Sequence, residues 1–595
     1  MVVAALLSCR FTSRAHVTMC LPDSRPGLAA QAAHSSLSLD STRGHVFVVH
    51  GDVRKFAADA VLMPTRSLNN PKWFPDGPPP GASGPTRSYF ASSRRVVKVS
   101  RSLPFQGPDI WLGHLDGRDA PSDACDFSGR PRLQWFMEAA RQFVYSALAD
   151  LRSRPQPPRY GRAKHLIAMP VVGTGTGGAR DRSGDVIARL LLLLQEFVLE
   201  ADIDVALVVK GETMFSAAQA LRREVDGAGP RWGELLSKRL CAHAETLAER
   251  AANEQLCLFL GAGVSIGAGL PRWQELLTSI AAREELGMSA EEVEQLSTLK
   301  LFDQAAVLAS RLGGSESRLQ ELVADECSAD LYSLTHGLLA GLPVNAVVTT
   351  NYDSLFEKAW DGAAAKYTVL PYETQPSERF ILKLHGDVRR PEDIVITRTQ
   401  MRDSREQRPA LSGIVETILL TKHMLFIGFS LQDPNFSELA GAVRRAQGRG
   451  KVVVKEDERT VPDAFGTLLM LQDRPLLQEL WPDLRFVPME TISAPISSSA
   501  QLNAVRARRM ELLLDKISLD ASTCTSHLLD EDFSGAFSAN EAALKKHLSN
   551  FQLRLQKNSL ARKSRGYAVV AETLRSLGSH NVLPPDRDVD ETCES

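Results

Sequence analysis

Five apolar residues in succession, Leu256-Cys257-Leu258-Phe259-Leu260, run directly into Gly261-Ala262-Gly263-Val264-Ser265, with Gly267, Gly269, Pro271 and Trp273 close behind. A short apolar run bounded by glycine reads as a strand buried on both faces, and a proline opening the next periodic stretch reads as the first turn of a helix. Strand, tight turn and helix in that order commit the chain to α/β architecture, in which parallel strands need helices on both faces. The same order recurs upstream. Strands are predicted at His45–His50, Ala60–Met63, His165–Pro170 and Val205–Val209, with helices at Trp135–Leu151 and Asp185–Glu200. A second glycine-rich stretch, Gly173 to Gly178, sits between the third strand and the second helix.

At 595 residues the chain exceeds what one core serves, and its breaks can be read from composition. Residues 1–43 read as an unstructured tail and 44–225 as a first α/β domain. The Gly/Pro-rich run Glu224 to Pro230 marks 226–244 as a linker. Residues 245–492 form a second α/β domain, with further strands predicted at Ala346–Thr349, Phe380–Leu384, Met424–Ile427 and Val452–Val454. Residues 493–595 read as a helical C-terminal extension, with helices at Leu502–Ile517 and Glu541–Leu560.

Lysine plus arginine number 69 and aspartate plus glutamate 71, so the net charge of −2 supplies no field to draw in nucleic acid or an anionic membrane. The eight cysteines are scattered without a CxxC pair, which argues against a disulfide framework or a zinc site and fits a reducing cytoplasm. No apolar stretch approaches the ~20 residues a membrane-spanning helix needs. The expected protein is soluble, cytoplasmic and metal-free, and its partners must be argued from local motifs.

Glycines between a buried strand and a helix let the backbone approach a pyrophosphate, while the helix N-terminus offers free N–H groups to the anion. A dinucleotide is therefore the natural ligand of the 261–265 turn, although glycine for a tight turn alone remains an alternative. The spacing is not GxGxxG, because the third glycine would fall at Ile266, and no Gly-Lys-Ser/Thr follows. Three more polar motifs end later strands: Thr349-Thr350-Asn351-Tyr352-Asp353, Lys383-Leu384-His385-Gly386-Asp387 and Gly428-Phe429-Ser430-Leu431-Gln432-Asp433-Pro434-Asn435. Open parallel sheets bind ligands at that edge. Asn351 and Asp353 also suit a helix cap, and His385 a satisfied core position.

Together, and in this order, the four motifs resemble the sirtuin fold, a Rossmann-type parallel-sheet domain, and in particular its NAD-hydrolysing branch of bacterial antiviral defence. The resemblance covers roughly Glu245 to Glu490. It implies NAD+ as substrate, with Gly261, Ala262, Gly263 and Ser265 at the pyrophosphate, Asn351 and Asp353 at the nicotinamide and its ribose, His385 as the catalytic histidine, and Gly428 and Ser430 at the adenosine half. Protein-deacylating sirtuins carry a four-cysteine zinc module after the histidine. Here no cysteine stands between His385 and Ser430, and Trp273 replaces the usual Phe-Arg, so water is the implied acceptor. A deacylase or ADP-ribosyltransferase, or a non-catalytic NAD-binding scaffold, are the rival readings.

In the first domain His50-Gly51-Asp52-Val53, Ala58 to Met63 and Met169 to Gly178 are similar to the macro domain, a three-layer α/β fold that binds ADP-ribose. By that likeness Asp52 meets the adenine amine and Gly175, Thr176, Gly177 and Gly178 wrap the diphosphate. The usual Asn-Ala-Ala-Asn loop is replaced by Met63 to Asn70, which implies binding without catalysis. The pairing suggests an NAD+ glycohydrolase gated by an ADP-ribose-related ligand at the first domain. Self-association through the helical extension, giving a homo-oligomer, is expected by analogy.

Overall fold

The computed structural model describes residues 43–84, 90, 94–103, 107–175, 177–226, 231–375, 377–446, 464–489 and 498–584. The expected tail before Arg43, Thr176 and the strand expected at Val452–Val454 lie outside the described residues. Two largely parallel sheets organise the rest. The first comprises β1 (Val46–His50), β2 (Ala60–Met63), β3 (Val96–Lys98), β4 (Asp109–Gly113), β5 (Leu166–Pro170) and β6 (Asp204–Val209), in the order β1-β6-β5-β2-β4-β3 with only β3 antiparallel. The second comprises β7 (Leu256–Leu260), β8 (Ala346–Thr349), β9 (Thr368–Leu370), β10 (Phe380–Lys383), β11 (His423–Ile427), β12 (Gly466–Met470) and β13 (Leu484–Pro488). It is parallel throughout, in the order β9-β10-β8-β7-β11-β12-β13.

Alternation along each strand feeds two cores, as a period of two requires. Leu256, Leu258 and Leu260 point into a core that also holds Phe47 and Val49 of the first sheet, whereas Cys257 and Phe259 point to the opposite face, under helices Pro409–Thr421 and Pro434–Ala446. Val46 and Val48 pack under helices Leu133–Arg152 and Ser183–Glu200. One face of each sheet thus belongs to the same continuous core. No helix among the described residues is long and apolar enough to cross a membrane.

The shared core takes in parts of two segments outside the two α/β domains read from the sequence. The residues read as a linker, 226–244, run into the helix Lys238–Ala252, whose start is capped by the Ser237 hydroxyl and whose Leu240, Ala244, Leu247 and Ala251 are buried. The first helix of the C-terminal extension, Ser499–Ala521, is not peripheral either: Leu512, Leu513, Leu514 and Ile517 lie in the core common to both sheets. Its hydrophobic residues surround it rather than forming one stripe, as befits a helix covered on several sides.

That helix also carries charge into the interior. Asp515 accepts from Arg222 at 2.8 Å and 2.5 Å and lies 2.7 Å from the His45 ring, all three side chains being no more than 5% exposed. Arg508 donates two 2.8 Å bonds to Asp204, and Arg162 donates to Glu511 at 2.6 Å. Burial pushes Asp515 up, but Arg222 and His45 hold it below the usual carboxylate range. Breaking such a pair strands a buried charge and costs about 3–5 kcal/mol. Asp515→Ala is therefore expected to lower the melting temperature by several degrees. Arg118→Ala, which removes the solvent-exposed partner of Asp116, should leave it within about 1 °C, because exposed pairs contribute ~0–1 kcal/mol. Differential scanning calorimetry reads both.

Candidate functional site

Register alone brings the four strand-end motifs of the second sheet together. Thr349 of β8 is paired with Leu260 of β7 and Lys383 of β10, and Leu260 with Ile427 of β11. Gly261 and Gly428 are therefore the first residues, and Asn351 and His385 the second, beyond one line across four adjacent strands. Because those strands are parallel, their carboxyl ends leave the sheet at the same edge.

The loops are joined by bonds that give each side chain its place. Asn351 donates from Nδ2 to the Gly261 carbonyl at 3.2 Å and to Ser265 Oγ at 3.3 Å. Ser265 Oγ donates to Asp353 Oδ2 at 2.8 Å, and Asp353 Oδ1 accepts the Leu355 N–H at 3.0 Å. Asp353 thus holds the first N–H of the helix Leu355–Gly362 and braces the glycine turn at once. The turn itself presses on the next loop: the Gly263 N–H donates to the Gly428 carbonyl at 3.0 Å, and Gly428 has φ +66°. A Cβ on Gly428 would lie 2.6 Å from the Val264 nitrogen, so glycine is required there by both conformation and contact. Most N–H groups of the turn are spent internally, on Ile427, Gly428, Gly261 and Ala262 carbonyls, and Ala262 and Gly263 form its exposed lip.

Beneath these loops lies a buried lysine to which the sequence reading assigned no role. Lys383 ends β10 fully buried, and its ammonium donates to the carbonyls of Asp353 at 2.7 Å and Tyr352 at 3.2 Å. It pairs with Asp387 at 2.8 Å and Glu357 at 3.0 Å. Burial raises Asp387, but Arg389 and Lys383 overcome it and hold that carboxyl at about 2. The signal was present in the motif: a lysine closing a buried strand must have carboxylates nearby. His385 is buried, with Nε2 3.2 Å from Asp433 Oδ2. A cavity of about 30 Å³ adjoins it, lined by Ser404, Arg408, Ser412 and Asn435 among others. On the far side of the β11 loop, Ser430 borders a cleft of about 830 Å³ that reaches Arg444, Arg474 and Trp481.

In the first domain the expected ligand residues occupy loops at the carboxyl edge of its own sheet. Gly178 has φ +90°, Gly177 accepts the Gly117 N–H at 2.9 Å, and Lys72 Nζ stands 3.3 Å from where a Gly175 Cβ would be. Asp52 is engaged already: Arg54 Nε donates to both its oxygens, at 2.9 Å and 3.0 Å, and Lys210 to one at 2.9 Å. Burial pushes this carboxyl up, yet Arg54 and Lys210 bring it to about 2. Its backbone is gripped from the second domain. The buried Tyr332 hydroxyl accepts the Asp52 N–H at 2.8 Å and donates to the Asp52 carbonyl at 3.1 Å, while its backbone bonds Lys55 and Ala57. A Cβ on Gly51 would sit 2.2 Å from that hydroxyl. The next residue, Ser333, donates to the Val264 carbonyl of the glycine turn at 3.2 Å and lies 2.7 Å from His336 Nδ1. Nothing in the sequence pattern singled out Tyr332 or Ser333, because their partners are 280 and 69 residues away.

Residues 345–469 match the SIR2-like domain family, a span that holds Asn351, His385, Gly428 and Ser430 but not the 261–265 turn. Among curated proteins, the NAD(+) hydrolase ThsA of Bacillus cereus (strain MSX-D12) is 31% identical over 217 residues, 35% of this chain and 44% of the relative. The protein of that name from Enterococcus faecium is 34% identical over 197 residues, 31% of this chain and 39% of the relative. Defense-associated sirtuin 2 of Bacillus subtilis is 26% identical over 244 residues, 38% of this chain and 23% of the relative. The chain spans less than half the length of each of these relatives.

Burial pulls the His336 ring from 6.5 down to about 4, so the neutral ring accepts from Ser333 in the folded state. The unfolded chain binds the extra proton between those values, so this contribution to stability is complete above about pH 6.5 and is lost as pH falls toward about 4. His50 and His423, also lowered by burial to about 4, act in the same sense. Melting temperature is expected to fall steadily across that window, and His336→Gln to flatten part of the slope; an unchanged slope in the variant contradicts the assignment.

Proposed function

We propose, from the SIR2-like domain that this chain carries, that it hydrolyses NAD+ to nicotinamide and ADP-ribose, as an NAD-depleting effector of antiviral defence. The observation that carries the reading is the convergence of four loops on one edge of a parallel sheet, with Asn351 bonded to the glycine turn and a buried imidazole in the neighbouring loop. The names of the curated relatives, NAD(+) hydrolase and defense-associated sirtuin, support it.

Cleaving the nicotinamide–ribose bond passes through an oxocarbenium-like state, as in glycoside cleavage. Nicotinamide leaves as a neutral ring, so the protein needs to position more than to protonate. In this reading the exposed lip at Ala262 and Gly263 meets the pyrophosphate, and Ser265 and Asp353 hold the turn against it. The Asn351 amide orients a ribose hydroxyl or water, and His385 takes the proton that the acceptor loses. The cleft beginning at Ser430 accommodates the adenosine half.

The first domain is proposed to gate this reaction on binding an ADP-ribose-related ligand. A route for coupling is supplied by Tyr332 and Ser333, which bond the Asp52 loop and the glycine turn from adjacent positions. A ligand amine at Asp52 would compete with Arg54 and Lys210, changing the loop that Tyr332 holds.

A chromatographic NAD+-to-nicotinamide assay tests the reaction. Wild type is expected to release nicotinamide and ADP-ribose in equal amounts, with Asn351→Ala and His385→Ala reduced ~10²-fold or more. An acyl-lysine peptide that consumes NAD+ faster than water does would contradict the reading. For gating, turnover is expected to change on adding ADP-ribose, and Tyr332→Phe to abolish the response while basal turnover persists; turnover indifferent to every nucleotide tried, and to Asp52→Ala, contradicts it.

A further inference from the structure

We propose that Asp433 is the positioning residue of a histidine–aspartate pair, holding the His385 ring in one tautomer and orientation for proton transfer from the acceptor water. The proposal rests on the reading of NAD+ hydrolysis above.

His385 and Asp433 come from different loops, after β10 and β11, yet Asp433 Oδ2 lies 3.2 Å from His385 Nε2, and the two side chains are 9% and 5% exposed. The other carboxylate oxygen is independently fixed. Asp433 Oδ1 accepts the N–H groups of Asn435 at 2.8 Å and Phe436 at 3.3 Å, in the first turn of helix Pro434–Ala446. Burial pushes Asp433 up, but the bond from His385 and the two amides hold it below the usual carboxylate range, so the anion persists. A carboxylate that accepts Nε2–H leaves the basic lone pair of the neutral ring on Nδ1 and stabilises the imidazolium formed when Nδ1 takes a proton.

The other charged groups near this ring are spoken for. Arg408, which lines the same cavity, pairs with Asp393, and Lys383 and Asp387 on the histidine's own loop pair with each other. Asp433 is therefore the carboxylate that answers the ring. In the step proposed, the C1′–N bond breaks with its electron pair going to the nicotinamide nitrogen. A water oxygen gives a pair to C1′, and the water's proton passes to His385 and then to solvent, so that NAD+ and water yield nicotinamide, ADP-ribose and one proton.

The full chain carrying Asp433→Asn, Asp433→Ala or Asp433→Glu tests this. Asparagine keeps an acceptor for the two helix amides, so folding survives. Asp433→Asn and Asp433→Ala are each expected to lower kcat ~10–100-fold with KM for NAD+ changed by less than ~3-fold, and Asp433→Glu to recover part of the loss. A kcat within about twofold of wild type in Asp433→Ala, or a rise in KM alone, overturns the proposal while leaving NAD+ hydrolysis standing. Should wild type not turn over NAD+, the reading above fails and the pair is judged on its own by ring 15N shifts of histidine-labelled protein, with His385→Ala identifying the resonance. A proton held on Nε2 in wild type and redistributed in Asp433→Ala supports the pair; identical shifts refute it.

Discussion

The parallel ladder across β10, β8, β7 and β11 is the constraint on which everything else depends. Hydrogen-bond register sets Lys383, Thr349, Leu260 and Ile427 in one row, and parallel direction sends all four strands out at one edge. Residues separated by more than 160 positions in sequence therefore turn into the same space one or two residues later. A slip of one residue in any strand would exchange its two buried faces and carry its motif out of line.

Around that row, buried charge does positional work. Lys383 lies under the Tyr352–Asp353 carbonyls, Asp353 braces the glycine turn through Ser265, and Asp433 faces His385 across two loops. Isolated buried charges are costly, and these are tolerated because each has an opposite charge or several bonds. The same principle operates away from the site. Asp515, Arg222 and His45, with Asp204 and Arg508, tie the helix Ser499–Ala521 to the first sheet, and that helix contributes to the core both sheets share. Both sheets share that core, and the bridge of Tyr332 and Ser333 joins a loop beside each of them.

Much of this was legible in sequence for a definite reason. A strand such as Leu256–Leu260, buried on both faces, is apolar at every position, and glycine immediately after it marks the close approach of another backbone, here Gly428. The strands at 46–50, 60–63, 346–349 and 380–383 were readable on the same grounds. The edge strands β3, β9 and β13 were not, since three to five residues with mixed burial carry no strong period, and nor was β12, which lies between β11 and β13. Composition says little about what is buried: the stretch read as a linker ends in the buried helix Lys238–Ala252, and the polar-looking helix Ser499–Ala521 is buried because its charges are paired. The contacts of Tyr332, Ser333 and Asp433 are set by tertiary structure, and no local pattern encodes them. The role of Asp52 was read from a resemblance, without Arg54 and Lys210, which the fold sets beside its carboxylate.

The central claim is that these four loops form one slot for one dinucleotide. Hydrogen exchange read by mass spectrometry, with and without saturating NAD+ on the His385→Ala chain, tests it most directly. The account predicts simultaneous slowing in the segments around 261–270, 351–355, 385–388 and 428–436. Protection confined to one of them, or appearing only in the first domain, would contradict it.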